Sequence, residues 1–246
     1  SPLTTNIYVS TSSGSDSFSG LSEFTPVRTL AKAQELARDG FPDWVLLKRG
    51  DVWNEHFGNW EKSGASSAAP MLISSYGTGP RPIIRPGTDN NGFRILNIPV
   101  AHLAVVGLHF QGPLDPFSNR RAGFSVLGPI DDFLIEDCLI ESFDVNISLH
   151  AFAGPVTNVR LRRSIVADSI SLDAISTGLY VDTAEDVLIE ECLFDHNGWR
   201  EGVLPKSQFN RNVYVQWNAK DVTFRRNISA RSSASGIAMR PGGVVD

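Results

Sequence analysis

Several features are scarce in this chain of 246 residues, and each scarcity closes a class of function. No apolar run approaches the roughly 18 residues that a membrane-spanning helix requires, so no span is expected. No Lys/Arg run is longer than two residues, and the formal charge is −5. Phosphate recognition needs a basic face, so nucleic acid is not expected as a partner. His-x-x-x-His and Cys-x-x-Cys spacings are both missing, which removes the usual zinc arrangements, and no metal ligands are assigned. Calcium is the one cofactor left open. Asp131, Asp132 and Asp144 have suitable chemistry, and the loop from Ser12 to Gly20 has the composition of a calcium loop, although isolated acids at bends are ordinarily turn caps. There are only two cysteines, Cys138 and Cys192. Ser1 to Asn6 lack a charged segment followed by an apolar one, so a signal peptide was either never there or has been removed.

What is present suffices for a continuous core, since 41% of the residues are hydrophobic. Residues 1–50 read as an N-terminal cap and first strand. Ile7 to Ser10 has a strand pattern, and Thr29 to Ala37 has strong helix formers with Leu30, Ala33 and Ala37 on one face. Asp43 to Asp51 is then a strand and a turn. A short helix of this kind can cover the open edge of a repeating β structure.

From residue 100 onward the sequence repeats. Segments beginning at His102, Asp132, Asn158, Asp186 and Asp221 align without gaps, with starts 30, 26, 28 and 35 residues apart. Periods of this size mark solenoids or propellers. Apolar residues alternate within each segment, as a strand with one buried face requires. A second ladder lies between them: Gly123 to Leu127, Asn146 to His150, Gly178 to Asp182, Asn212 to Gln216 and Gly236 to Arg240. Its second and fourth positions are apolar and are expected to face inward, and its first, third and fifth outward. The units are too short for propeller blades and lack Asn-Gly or Asp-Gly hairpin signals. The expected fold is all-β, a single right-handed parallel β-helix over residues 1–246, with coils from residue 51 and a short N-terminal capping helix.

The alignment puts Cys138 and Cys192 at the same position two coils apart. Strands about 4.8 Å apart then separate them by about 9–10 Å, beyond the roughly 7 Å that a disulfide tolerates. Ser164 falls between them and Asn227 follows, so a buried Cys–Ser–Cys–Asn stack without a disulfide is expected. Asn146 and Asn227 match the N-glycosylation pattern, with Asn146 expected outward and Asn227 inward.

Tyr8-Val9-Ser10, Gly14-Ser15-Asp16, Pro26 and Thr29-Leu30 resemble the leading segment of many secreted right-handed β-helix proteins of the pectate-lyase-like superfamily. His196-Asn197-Gly198-Trp199 and Arg240-Pro241-Gly242-Gly243 resemble a bacterial subgroup of them. The resemblance implies a secreted, periplasmic or cell-surface protein, and a bacterial source would make both glycosylation matches accidental. It leaves the reaction open, because the superfamily holds lyases, hydrolases, esterases, epimerases and non-enzymatic surface proteins.

Chemistry is expected on the outer face of the second ladder. Its fifth column is Leu127, His150, Asp182, Gln216, Arg240, and its third is Ser125, Ser148, Tyr180, Tyr214, Ala238. A lyase acting on an acidic polysaccharide needs a cation to neutralise a uronate carboxylate and a base to take the C5 proton. His150, Asp182, Tyr214 and Arg240 are the catalytic candidates, with Arg240 neutralising and His150 or Tyr214 as base. Tyr180 and Gln216 are candidates for substrate binding. The long loop from Asp195 to Arg211 is expected to overhang the same face, which adds His196, Trp199 and Arg200. Hydrolysis by paired carboxylates would need Asp195 or Glu201 to join Asp182. A solvated polar face on a glycan-binding or structural solenoid is the bland alternative. Val244-Val245-Asp246 begins what looks like another coil, so further chain, a second chain or a partner subunit is expected over that end.

Overall fold

The computed structural model describes residues 3–113, 115, 121–172, 175–240 and 243–245, the last three as backbone alone. Among the described residues, the strands form three sheets of nine, seven and six strands, and every strand pair is parallel. Each coil visits the three sheets in turn. One coil runs through Ile130–Glu136, Leu139–Glu141 and Val145–His150, and the next through Val156–Arg162, Ile165–Ala167 and Thr177–Asp182. Parallel connections of this kind wind right-handed. The molecule is the expected right-handed parallel β-helix.

The corners explain why coils of unequal length stay in step. His102, Asp132, Asn158, Asp186 and Asp221 all have φ between 49° and 58°, and they stack as a kink inside the nine-stranded sheet. A second column, Gly107, Asp137, Arg163, Glu191 and Arg226, turns the chain into the seven-stranded sheet, and a third, Ser142, Asp168, His196 and Arg231, turns it out again. Left-handed backbone is costly for most L-residues. The stacked ladders on either side hold it in place.

The expected register is found. Phe133 pairs with Leu103 and Val159, Val187 with Val159 and Val222, and Tyr180 with Ser148 and Tyr214. Cys138 and Cys192 are free and buried. The Ser164 hydroxyl accepts from Cys138 N at 3.1 Å, and the Asn227 side chain from Cys192 N at 2.8 Å, which completes the mixed stack.

One expectation about the ladders needs correction. The first position of the second ladder does not face outward: Asn146 and Asn212 are fully buried. Leaving the preceding corner, the chain still curves, so this position points into the bend. There the Asn146 amide donates to Asn197 Oδ1 at 3.0 Å, and Asn197 donates to Asn212 Oδ1 at 2.9 Å. Gly178 leaves the room, since a Cβ there would lie 2.8 Å from Asn197 Nδ2. Asn146 is therefore closed to a glycan. The start of the solenoid is part of the same fold. Asn6–Val9 and Trp44–Lys48 already belong to the nine-stranded sheet, so the cap is continuous with the coils. The helix Leu30–Leu36, capped by Thr29, packs Leu30 and Ala33 into the common core.

The core changes character along the axis. Early coils are filled by Trp53, Phe57, Trp60, Phe93, Phe110, Phe124 and Phe133, with ring centroids such as Phe110–Phe124 only 4.5 Å apart. Later coils are mostly aliphatic. At the far end Gly243–Val245 pairs with the strand Lys220–Arg225, and Ile237 and Met239 pack half-buried on the core. Pro241, Gly242, Asp246 and the side chain of Val245 lie outside the described residues. The structure lends no support to a second chain there. No helix among the described residues is long and apolar enough to cross a membrane.

Candidate active site on the six-stranded sheet

The outer face of the six-stranded sheet brings most of the candidate residues together. His150 pairs with Asp182 in register, and its Nε2 lies 3.9 Å from Asp182 Oδ2. The same oxygen accepts from the Tyr180 hydroxyl at 3.2 Å. The other carboxylate oxygen, Asp182 Oδ1, is buried and has no hydrogen-bond partner among the described residues. Burial, then the neighbouring Asp182 charge, raises the Tyr180 phenol above its ordinary range, so it stays a donor, with Gln216 as a further hydrogen-bonding neighbour.

One coil further, Tyr214 stands beside Tyr180 with ring centroids 6.1 Å apart. Arg240 donates twice to the Tyr214 phenol oxygen, from Nη2 at 2.9 Å and Nε at 3.1 Å. A second cation, Arg211, lies 4.9 Å from the centre of the Tyr214 ring, and its Nε has no partner among the described residues. Two aromatic rings flank the stripe. Trp217, 58% exposed, lies 5.0 Å from the Arg240 guanidinium, and Phe152, 77% exposed, lies 6.1 Å from His150. Exposed rings of this size stand ready to stack on an apolar sugar face.

His196, Trp199 and Arg200 are not part of this group. His196 Nδ1 lies 2.5 Å from Asp168, Trp199 donates to the Arg231 carbonyl at 2.7 Å, and Arg200 acts electrostatically on Glu141. Asp168, Arg231 and Glu141 belong to the seven-stranded sheet and its corner. These contacts hold the start of the loop over that sheet, so the expected overhang on the six-stranded face is corrected. The face they join carries its own polar network. His109 and Gln111 hydrogen-bond Glu141 at 3.0 and 2.8 Å, and Arg231 grips Asp195.

The acids considered for calcium do not converge. Asp131 accepts from Thr157 and Asp132 pairs with His102 on the nine-stranded sheet, whereas Asp144 precedes the strand Val145–His150 of the six-stranded sheet. Among the described residues no group of three His, Cys, Asp or Glu is placed to hold a metal.

Sequence reasoning missed Arg94. It lies on the strand Phe93–Ile95, outside the aligned repeats, yet pairs with Ser125 and so extends the row Ser125, Ser148, Tyr180, Tyr214 by one coil. The alternating Phe93 and Ile95, both fully buried, were the available signal that Arg94 faces out.

The three stacked sheets define a right-handed parallel β-helix with an exposed aromatic stripe on one face. No family model matches the chain. A rhamnogalacturonan lyase shares the fold over 98% of this chain and 87% of its own, at 14% identity and a TM-score of 0.54. A GH136 lacto-N-biosidase from Eubacterium ramulus aligns over 98% of this chain and 67% of its own, at 12% identity and a TM-score of 0.43. In sequence, 74 residues are 36% identical to a lacto-N-biosidase of Bifidobacterium longum subsp. longum, which is 30% of this chain and only 5% of that protein.

Proposed function

We propose that this protein is a carbohydrate-active β-helix that binds an acidic polysaccharide along the six-stranded face and cleaves it by β-elimination. The observation that carries the reading is the Arg240–Tyr214 contact, a guanidinium donating two hydrogen bonds to a phenol oxygen on an open, aromatic-flanked stripe. The bare charge balance agrees. Arg94, Arg211 and Arg240 stand on the stripe with Asp182, while Asp89 beside Arg94 is paired with Arg121, although the chain as a whole is acidic. A polymeric substrate also fits a secreted or cell-surface location.

In this mechanism Arg240 neutralises the uronate carboxylate, which acidifies the C5 proton. Tyr214, reacting as the phenolate to which Arg240 donates, takes that proton and becomes the neutral phenol, the C5–H electron pair becomes the C4–C5 double bond, and the C4–O4 bond breaks. The same phenol returns the proton to the departing O4. His150 stands two coils from Tyr214, about 10 Å by strand spacing, too far to serve the same bond. With Asp182, Tyr180 and Gln216 it holds the neighbouring sugar.

Hydrolysis finds weaker support. Glu141 and Asp195 occupy one outward column of the seven-stranded sheet with Ala167 between them. Hydrogen bonds from His109 and from Arg231, respectively, hold these carboxyls below their ordinary range. A glycosidase acid needs the opposite shift.

The test is incubation with uronate polymers while absorbance near 235 nm is followed, the signature of an unsaturated product. Tyr214→Phe is expected to lower kcat by about 10²–10⁴. New reducing ends without that absorbance would instead establish a hydrolase, and binding with neither signal a non-catalytic module.

A further inference from the structure

We propose that Arg94 forms a second anion subsite, four coils from Tyr214, which takes a carboxylate or sulfate of a distant sugar on the same polymer. The inference rests on the reading of the six-stranded face as a polysaccharide track and adds what that track selects: a chain charged at more than one unit.

Three observations support it. The first is register. Asn59, Arg94, Ser125, Ser148, Tyr180 and Tyr214 follow one another in a single row across successive coils. At about 4.8 Å per coil, Arg94 lies about 19 Å from Tyr214, on the order of one sugar unit per coil. The second is the floor between them. Only Ser125 and Ser148 separate Arg94 from Tyr180, so the row dips between an arginine and two tyrosines and is lined there by hydroxyls. The third is the state of Arg94. It lines a cavity of about 340 Å³ with His56, Asn59, Asp89 and Asn91. Its Nε is buried without a hydrogen-bond partner among the described residues. The nearby acid Asp89 has its own partner, Arg121 at 3.8 Å. A buried guanidinium N–H without an acceptor costs free energy, and an incoming anion removes that cost.

The experiment uses affinity electrophoresis of the whole chain in gels containing polygalacturonate, alginate or heparan sulfate, followed by titration with two-unit and six-unit oligomers of the retained polymer. Arg94→Ala is expected to bind the six-unit oligomer about tenfold more weakly, the size of a lost hydrogen bond to a charged group. It should bind the two-unit oligomer as the wild type does, and Arg94→Lys should recover part of the loss. Thermal midpoints within a degree or two of wild type exclude misfolding. Equal weakening for both lengths, no weakening for either, or no retention of the wild type by any of the three polymers overturns the proposal. If the wild type binds the six-unit oligomer through Arg94 but never releases unsaturated product, the elimination reading fails while the subsite stands.

Discussion

The outer faces of the nine-stranded and six-stranded sheets are both rich in charge, and they use it in opposite ways. On the nine-stranded sheet, Glu136, Arg162, Glu190 and Arg225 stack in register on successive coils with alternating sign. Arg162 and Arg225 each reach Glu190 at 2.7 Å, and Arg163 closes on Glu136. Each charge in that column has an opposite charge within 4 Å, although Arg162 Nε makes its contact with Glu190 as an ion pair and not as a directed hydrogen bond. On the six-stranded sheet the row carries serines and tyrosines, and the charges beside it do not alternate. Asp182 Oδ1, Arg211 Nε and Arg94 Nε are left without hydrogen-bond partners among the described residues. A satisfied column stabilises the solenoid, whereas an unsatisfied one is available to a ligand.

Substitutions on the two faces should therefore separate stability from activity. The largest effect is expected at Glu190, whose side chain is only 5% exposed between its two arginines. Glu190→Ala should destabilise the fold by about 2 kcal/mol, less than the loss of a fully buried pair because both arginines reach water. Denaturant melts would read this, with turnover per folded molecule unchanged; a large loss of turnover would break the division between the faces. Next comes Asp182→Asn, expected to reduce turnover about tenfold, or about 1.4 kcal/mol, while stability stays within about 0.5 kcal/mol or rises. A clear fall in the thermal midpoint would mean that Asp182 is structural.

A smaller effect is expected in acid. The hydrogen bond from His109 holds Glu141 below the ordinary glutamate value of about 4.3 in the folded protein. The stabilisation from this shift is present above that value and is lost as the pH falls through the lower folded value. Glu141→Gln should flatten the acid limb of thermal midpoint against pH, and an unchanged limb would remove Glu141 from the account. The smallest effect is none at all: reductant should not shift the thermal midpoint, because Cys138 and Cys192 are unbridged.

Much of the later solenoid was legible because its ladders repeat without gaps inside each strand. The alignment of Cys138, Ser164, Cys192 and Asn227 gave the correct stack, and alternation placed Tyr180 and Tyr214 in one row. The early coils were not legible, since Trp53, Trp60 and Phe93 fill the interior there in place of the aliphatic pattern. That is why Arg94 escaped notice. Alternation also misplaced Asn146, because a strict period of two fails where the chain is still bending. The course of the loop after Asp195 depends on contacts with residues distant in sequence, His196 with Asp168 and Trp199 with Arg231, which residue type does not announce.

The stacked corners also decide where the chain can change length. Coils of 26, 28, 30 and 35 residues share one register because every difference falls in the loops between corners. Removing residues from the stretch between Trp199 and Phe209 alters a decoration, and the rows on either side keep their phase. Removing one residue from Thr177–Asp182 would exchange the inside and outside of a whole rung, burying Tyr180 and exposing its apolar neighbours. The scaffold is thus permissive to insertion at its rims and intolerant within its rows, so surface loops can diversify freely while the track beneath them holds its alignment.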